Sequence, residues 1–496
     1  MSTSTSPSAR YRFGGAGKAG VLLGLSMRQA APLVAGCVWL TLALMAGVPW
    51  LAIVGPLVGA LVSFGRLRGA PLYDVAIPGA RLAMAHRLRR ATWVRRSLLA
   101  GGPGYDDDLP EALVGLELLD VEAVWDGMPT TAGVVRDRRA GTVSVVLPIW
   151  ASGFAVSSLA EQDALVAGWA TALAPLARER CPVCRVTWQQ WTRPVGLGGH
   201  LRFLDDQPAR LTGSSAAKDY DELLAVQAPA TIGHEILLTV TVDQRRVRRR
   251  RQAAVTAAVE VAIDEVRLLA ARLEAAGVRT SGPWSGIEIA TAIRARSDPA
   301  RLAQVDGLRR SLAAAAGKGA IEWGPLALRA EWGRAWVDGS VHRTLRVAAW
   351  PMLPVAADWL SPLLSQADAT LSVTVVLEPV PLRDAAAAAN RELTALEADH
   401  GQKERHGFRL TARERRRHHD VEAREQELAA GHPEFRHAAF VTVTAPDADE
   451  LDDATARVEQ AAAQSLLDVR LLAARQAEGW VCSLPLGRNV RAGALS

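Results

Sequence analysis

The chain has 496 residues, 49% of them hydrophobic, which is enough for two or three domains. Its formal net charge of +5 is modest for that length, and lysine occurs only at Lys18, Lys218, Lys318 and Lys403, so the basic charge is almost entirely arginine. That Arg and Ala bias reads as the mark of a GC-rich genome and not of a nucleic-acid binder. The four cysteines, Cys37, Cys181, Cys184 and Cys482, exclude a dense secreted disulfide framework.

Between Ala30 and Gly65 no side chain is charged, and the run is interrupted only by Gly47-Val48-Pro49. A hydrocarbon core of about 30 Å needs about 20 helical residues per crossing. Ala30–Val48 and Trp50–Gly65 therefore predict a transmembrane helical hairpin, the second arm a little short, with Arg66 and Arg68 snorkelling to the headgroups. Arg10, Arg12, Lys18 and Arg28 precede the pair, and a cluster from Arg66 to Arg96 follows it. The positive-inside rule then places both termini in the cytoplasm, as in a multi-pass inner-membrane protein. No cleavage site precedes a polar mature domain, so the segment reads as an anchor.

The stretch Ala80–Leu99 is basic and amphipathic. Its Arg87, Arg89 and Arg90 are candidate contacts for anionic lipid, unless the stretch is a plain solvated connector. Gly101-Gly102-Pro103-Gly104 and Asp106-Asp107-Asp108 form a linker.

Beyond the linker, β-branched alternation marks strands at 141–151, 184–194 and 234–243, with a helix near Leu159–Arg180, a long helix over Gln244–Ala276 and an extended piece at Val278. The same order recurs: a strand at 343–352, a short helix near Ala356–Ser365, a strand at 369–380, a helical spacer, a strand at 436–445, a helix over Ala448–Leu467 and a strand at 468–474. The repeat of order predicts two ferredoxin-like (βαβ-βαβ) α+β units behind the membrane hairpin. The expected organisation is an N-terminal arm over 1–29, the hairpin over 30–67 and a basic juxtamembrane segment with linker over 68–110. Two cytoplasmic units follow, over 111–325 and 326–496. The spacer Arg383–Ala430 is Ala/Glu/Arg-rich and lacks proline. With turn candidates at His400-Gly401 and Gly407, it predicts a protruding helical pair closed by Gly431.

Motifs that carry chemistry are few. Ala313–Gly319 approaches a P-loop, but Leu312 stands where the first glycine belongs and Gly319 where the Mg²⁺-binding Ser/Thr belongs. Cys181-Pro182-Val183-Cys184 has the spacing of half a zinc site or a redox pair, for which His200 and His234 are the available partners. The alternative is buried, incidental thiols. His418-His419 with Asp420 and Glu422 reads as a solvated helix face. No nucleophile elbow or apolar carboxylate pair occurs, and no catalysis, cofactor or metal is expected.

The densest charge block is Arg245, Arg246, Arg248, Arg249, Arg250 and Arg251, interrupted by Val247. It is a solvated face, a docking surface for an acidic partner or anionic membrane, or a nucleic-acid contact. Without interleaved aromatics, direct nucleic-acid binding is not expected.

Tyr11-Arg12-Phe13, Gly20–Ser26 and the charge-free hairpin resemble the PrgI-type inner-membrane proteins of conjugation and type IV secretion systems, and related actinobacterial proteins labelled type VII secretion EccE-like. His342–Pro351, Leu377–Val380, Ala430–His432, Phe440–Leu451 and Gly479–Gly487 resemble the N-terminal, non-motor region of conjugation ATPases. The resemblance implies a non-catalytic structural component that docks a separate cytoplasmic P-loop motor ATPase. It also implies contact with other membrane components and anionic lipid, and assembly as a homo- or hetero-oligomer. The second reading is a membrane-anchored metal- or thiol-dependent enzyme or regulator built on Cys181 and Cys184.

Overall fold

A computed structural model of the chain describes residues 27–67, 70–96, 108–150, 153–195, 200, 203–204, 214–227, 231–247, 254–301, 323–366, 368–405 and 412–490. The charge-free run begins as α1 (Met27–Met45). It turns at a left-handed Gly47, and continues as α2 (Pro49–Ala52) and α3 (Val54–Phe64). Pro49 opens α2 and Ile53 separates it from α3, leaving the second run only 11 residues in its longest helix. At 1.5 Å per residue that is about 16 Å, half of a bilayer core. Helix α1 contains Arg28 and Gln29 in its first turn and Pro32 in its interior.

Among the described residues no helix is long and apolar enough to cross a membrane. This corrects the expected transmembrane hairpin and the multi-pass inner-membrane location drawn from it. Freedom from charge sets no minimum helix length, and the break at Ile53 divides the second run. The two helices pack closely all the same. A Cβ on Gly36 would lie 2.7 Å from the Gly55 carbonyl oxygen, and Ser63 Oγ donates to the Gln29 carbonyl at 2.8 Å.

The short pair β1 (Arg66–Leu67) and β2 (Ala70–Pro71) leads into α4 (Leu72–Arg87) and β3 (Thr92–Val94). The first half of the body then comprises β4 (Leu116–Trp125), β5 (Met128–Asp137), β6 (Thr142–Trp150), α5 (Leu159–Leu173), β7 (Val183–Pro194) and α6 (Ser215–Gln227). It closes with β8 (Ile232–Asp243), α7 (Ala254–Ala275), β9 (Arg279–Thr280) and α8 (Gly286–Ser297). The second half comprises β10 (Ala327–Ala330), β11 (Ala335–Val337), β12 (Ser340–Ala349), α9 (Ser361–Leu364) and β13 (Thr370–Val380). After it come α10 (Leu382–Arg405), α11 (Ala412–Ala429), β14 (Glu434–Ala445), α12 (Ala448–Gln464), β15 (Asp468–Leu471) and α13 (Gln476–Cys482).

Strands from both halves form one 13-stranded sheet, ordered β3-β10-β11-β12-β14-β13-β7-β8-β6-β5-β4, with β15 on β12 and β9 on β6. All its pairings are antiparallel. Apart from the edge strand β3, the order is palindromic in element position about the β7–β13 junction, where the register runs from Leu371↔Thr192 to Leu377↔Val186. Two separate membrane-anchored ferredoxin-like units are therefore corrected to a single continuous sheet. The physical reason is edge satisfaction: each half alone would leave β7 or β13 with a row of unpaired backbone groups. The symmetry reaches single side chains. Ser144 and Thr241 hydroxyls meet at 2.9 Å across β6 and β8, and Thr344 and Thr442 meet at 2.9 Å across β12 and β14.

One sheet face is covered by α5 and α7 in the first half, over Val145, Leu238 and Val240, and by α12 in the second, over Leu345, Val441 and Val443. Capping boxes start α5 (Ser158, Glu161) and α8 (Ser285, Glu288), and Asp447 caps α12 by accepting from the Asp449 and Glu450 amides.

The opposite face carries α8, α13 and the segment to Val490. This segment bridges the halves. Gln189 of β7 donates to the Cys482 and Leu484 carbonyls at 2.9 and 2.8 Å, and Gln476 accepts from the Thr344 amide of β12 at 2.8 Å. Arg488 reaches Asp137 of β5 at 3.0 Å and the Val114 carbonyl at 3.1 Å. At Gly487 (φ 65°) a Cβ would fall 2.5 Å from the Ser144 hydroxyl, so only glycine permits that approach.

Candidate partner-docking site

Strands β13 and β14 remain paired to their ends, with Val380 opposite Glu434, and the chain between those residues forms the α10–α11 pair. It is thus an antiparallel helical insertion at a hairpin position. Ala385 and Ala389 of α10 pack on Leu428 of α11 at the root, and small residues there let the two backbones approach. Further out, Val421 is buried and Leu393 and Leu396 are half-buried, a narrow apolar seam. Arg424 clamps the root, donating to Glu434 of β14 at 3.0 and 2.6 Å and to Glu392 at 3.4 Å, while Arg417 donates to Glu392 at 3.0 Å. Gly431 (φ 88°) terminates α11, with its amide on the Leu428 carbonyl. The turn expected at His400-Gly401 is absent, because α10 runs through both residues to Arg405.

The outer half of the arm is polar and basic. Arg405, Arg415 and Arg416 are exposed, and the His400 and His418 rings lie 6.2 Å apart, with His418 Nε2 3.3 Å from Glu422. Arg415 and Arg416 sit in the first turns of α11, where positive charge opposes the helix dipole, and no acid among the described residues pairs with either. They are therefore poorly placed for the helix itself and well placed for an acidic surface.

The basic run after β8 is only partly described. Arg245 and Arg246 are exposed in a turn, with the Arg245 amide on Asp243 Oδ1 at 2.9 Å and Arg246 Nε 3.9 Å from Asp243 Oδ2. Arg248, Arg249, Arg250 and Arg251 lie outside the described residues. The helix expected from Gln244 begins, in its described part, at Ala254, because Asp243 caps a turn instead. Arg246 lines a cleft of about 240 Å³ at the foot of the arm, together with Arg178, Arg180 and Pro381.

The other predicted residues lie elsewhere. Arg87 ends α4, where a cation complements the helix dipole. Arg89 (φ 56°) and Arg90 wrap that end, their amides on the His86 and Ala85 carbonyls at 3.1 and 2.7 Å. All three are exposed and none lines the cleft.

Cys181 and Cys184 are free thiols, the first buried and the second partly buried. Burial pushes the Cys181 thiol up, and Cys184, whose Sγ donates to the Thr241 carbonyl at 3.4 Å, is pushed up to about 11. Redox and nucleophilic cysteines need the opposite shift. His234 lies opposite Thr192, eight residues along β7 from Cys184 and so about 26 Å away. It is engaged by Thr192 and Gln190 at 3.2 and 3.1 Å, and His200 bonds Tyr220 at 2.8 Å. Among the described residues no group of three His, Cys, Asp or Glu side chains could hold a metal ion. Comparison with protein-family models and with curated proteins finds no match for this chain.

Proposed function

We propose that this chain is a non-catalytic docking scaffold, in which a broad rigid sheet holds out the α10–α11 arm to a protein partner. The observation that carries the reading is the arm's division of labour. Its root is fixed by Ala385, Ala389, Leu428 and the Arg424 clamp, while Arg415 and Arg416 stay exposed and unpaired among the described residues. The resemblance of His342–Pro351, Phe440–Leu451 and Gly479–Gly487 to the non-motor region of conjugation ATPases supports the partner class. That partner is the P-loop motor ATPase of a type IV-like or type VII-like secretion apparatus, which this chain positions and does not replace.

The test is co-purification of the tagged full chain from its native host, comparing wild type with Arg415→Glu/Arg416→Glu. Retention of a P-loop ATPase is expected with the wild type and a loss of at least about tenfold with the variant, since charge at an interface governs association. Stability should change by less than about 0.5 kcal/mol, as for other exposed substitutions. Raised salt should weaken the wild-type complex. Equal retention by both proteins, or retention of no P-loop ATPase, overturns the reading.

A further inference from the structure

The cleft at the foot of the arm has a composition that specifies a ligand. It lies where the two halves meet, between the turn that precedes β7 and the end of β13. Its floor is apolar: Leu176, Val183 and the thiol-bearing Cys181 are buried, and Pro379 and Pro381 close the far wall. Proline has no backbone N–H, so that wall offers a ligand no donor. Donors come from three arginines at the rim.

These arginines are not equivalent. Arg178 is neutralised by Glu265 and also bonds the Pro175 carbonyl at 3.1 Å. Arg246 is held only at 3.9 Å from Asp243. Arg180 has no acidic partner among the described residues, and its backbone is left-handed (φ 60°), a conformation that suits glycine far better than arginine. A strained, exposed, unpaired cation beside an apolar pocket invites a functional explanation. Guanidinium groups bind a planar carboxylate through paired N–H donors. The volume, about 240 Å³, is below the roughly 300–1,000 Å³ of drug-sized sites, so the apolar part of the ligand is short.

We propose that this cleft binds an amphipathic carboxylate, its anionic head on Arg180 and Arg246 and its short apolar body against Leu176, Val183 and the two prolines. The carboxylate is either a free short-chain acid or an acidic residue of a docked protein that carries its own apolar neighbour.

Isothermal titration of the purified full chain with octanoate tests this without any partner. Octanoate should bind with one-to-one stoichiometry, and octanol and inorganic phosphate should each bind at least tenfold more weakly, because each lacks one half of the recognised chemistry. Arg180→Gly should weaken octanoate at least tenfold while leaving the melting temperature unchanged or higher, since glycine accepts the left-handed backbone. Arg246→Gln provides a second, conformationally neutral variant with the same expected direction. Absence of octanoate binding, equal binding of octanol or phosphate, or unchanged affinity in both variants would overturn the proposal. If saturating octanoate displaces the co-purified ATPase, the natural carboxylate is the partner's; if it leaves that complex intact, the ligand is a free acid.

Discussion

A Trp480→Ala variant is expected to lose about 3–5 kcal/mol of stability, the usual cost of emptying a large aromatic site in a packed core. Trp480 is fully buried on the face of the sheet that α13 covers, with Leu113, Val135 and Ile293 in the same cluster and the His342 ring 6.1 Å away. The loss should spread over both halves, because the same segment ties β7 through Gln189 and β12 through Gln476. Urea unfolding followed by tryptophan fluorescence and by circular dichroism should therefore shift as one transition. Trp480→Phe should be far milder. The indole Nε1 has no hydrogen-bond partner among the described residues, so removing it leaves no broken bond behind. Two separated transitions would show that α13 packs on one half alone, and equal losses in both variants would show that the cost does not come from emptied core volume.

Acidification is expected to remove roughly 3 kcal/mol through His342 alone. This ring is enclosed between β12, β14 and α8, with Nδ1 at 2.9 Å from the Thr444 hydroxyl and Nε2 at 3.1 Å from the Ser297 carbonyl. A carbonyl can only accept, so Nε2 carries the proton and Nδ1 accepts from Thr444. Burial holds the imidazole down at about 4, against 6.5 for the free ring. The unfolded chain thus takes up a proton first as pH falls. The contribution is complete above pH 6.5 and is lost progressively until pH reaches about 4. About 2 kcal/mol should be gone by pH 5. Burial also lowers His234 and His437, so some acid sensitivity will survive the loss of His342. His342→Gln should be less stable at pH 7 but should lose visibly less between pH 7 and pH 5. Parallel losses in the two proteins would show that His342 is not the group that titrates.

Much of the sheet was legible in the chain. Alternating β-branched residues placed β6, β7, β8, β12, β13 and β14 close to their observed bounds, because each buries one or both faces and its pattern is dictated locally. The β4–β5 hairpin was missed although Asp126-Gly127, both left-handed in the structure, is a strong two-residue turn signal. Asp338-Gly339, of which only Asp338 is left-handed, forms the two-residue turn between β11 and β12. The β7–β13 pairing carries no local signal, since it joins residues far apart in sequence through backbone groups common to every residue. The N-terminal reading failed for a different reason. Lack of charge does not measure span: Pro49 and the break at Ile53 set the helix lengths.

The arm was visible as a proline-free Ala/Glu/Arg spacer; of its two turn candidates, His400-Gly401 lies inside α10, and Gly407 lies outside the described residues. The cleft was invisible, because Arg178, Arg180, Arg246 and Pro381 are brought together only by the junction of the two halves. Of the basic run, only Arg246 joins that site among the described residues.

On the docking role proposed above, the arm serves association and the sheet does not depend on it. Val380 and Glu434 already face each other across β13 and β14, so replacing residues 381–433 by Asn-Gly should close a two-residue hairpin on an existing register. The decisive measurement is a thermal melt of this armless chain, run beside its co-purification from the native host. A single cooperative transition within a few degrees of wild type is expected, together with complete loss of the P-loop ATPase. Aggregation or a broad, early melt would make the arm part of the fold, and an undiminished ATPase yield would place docking elsewhere.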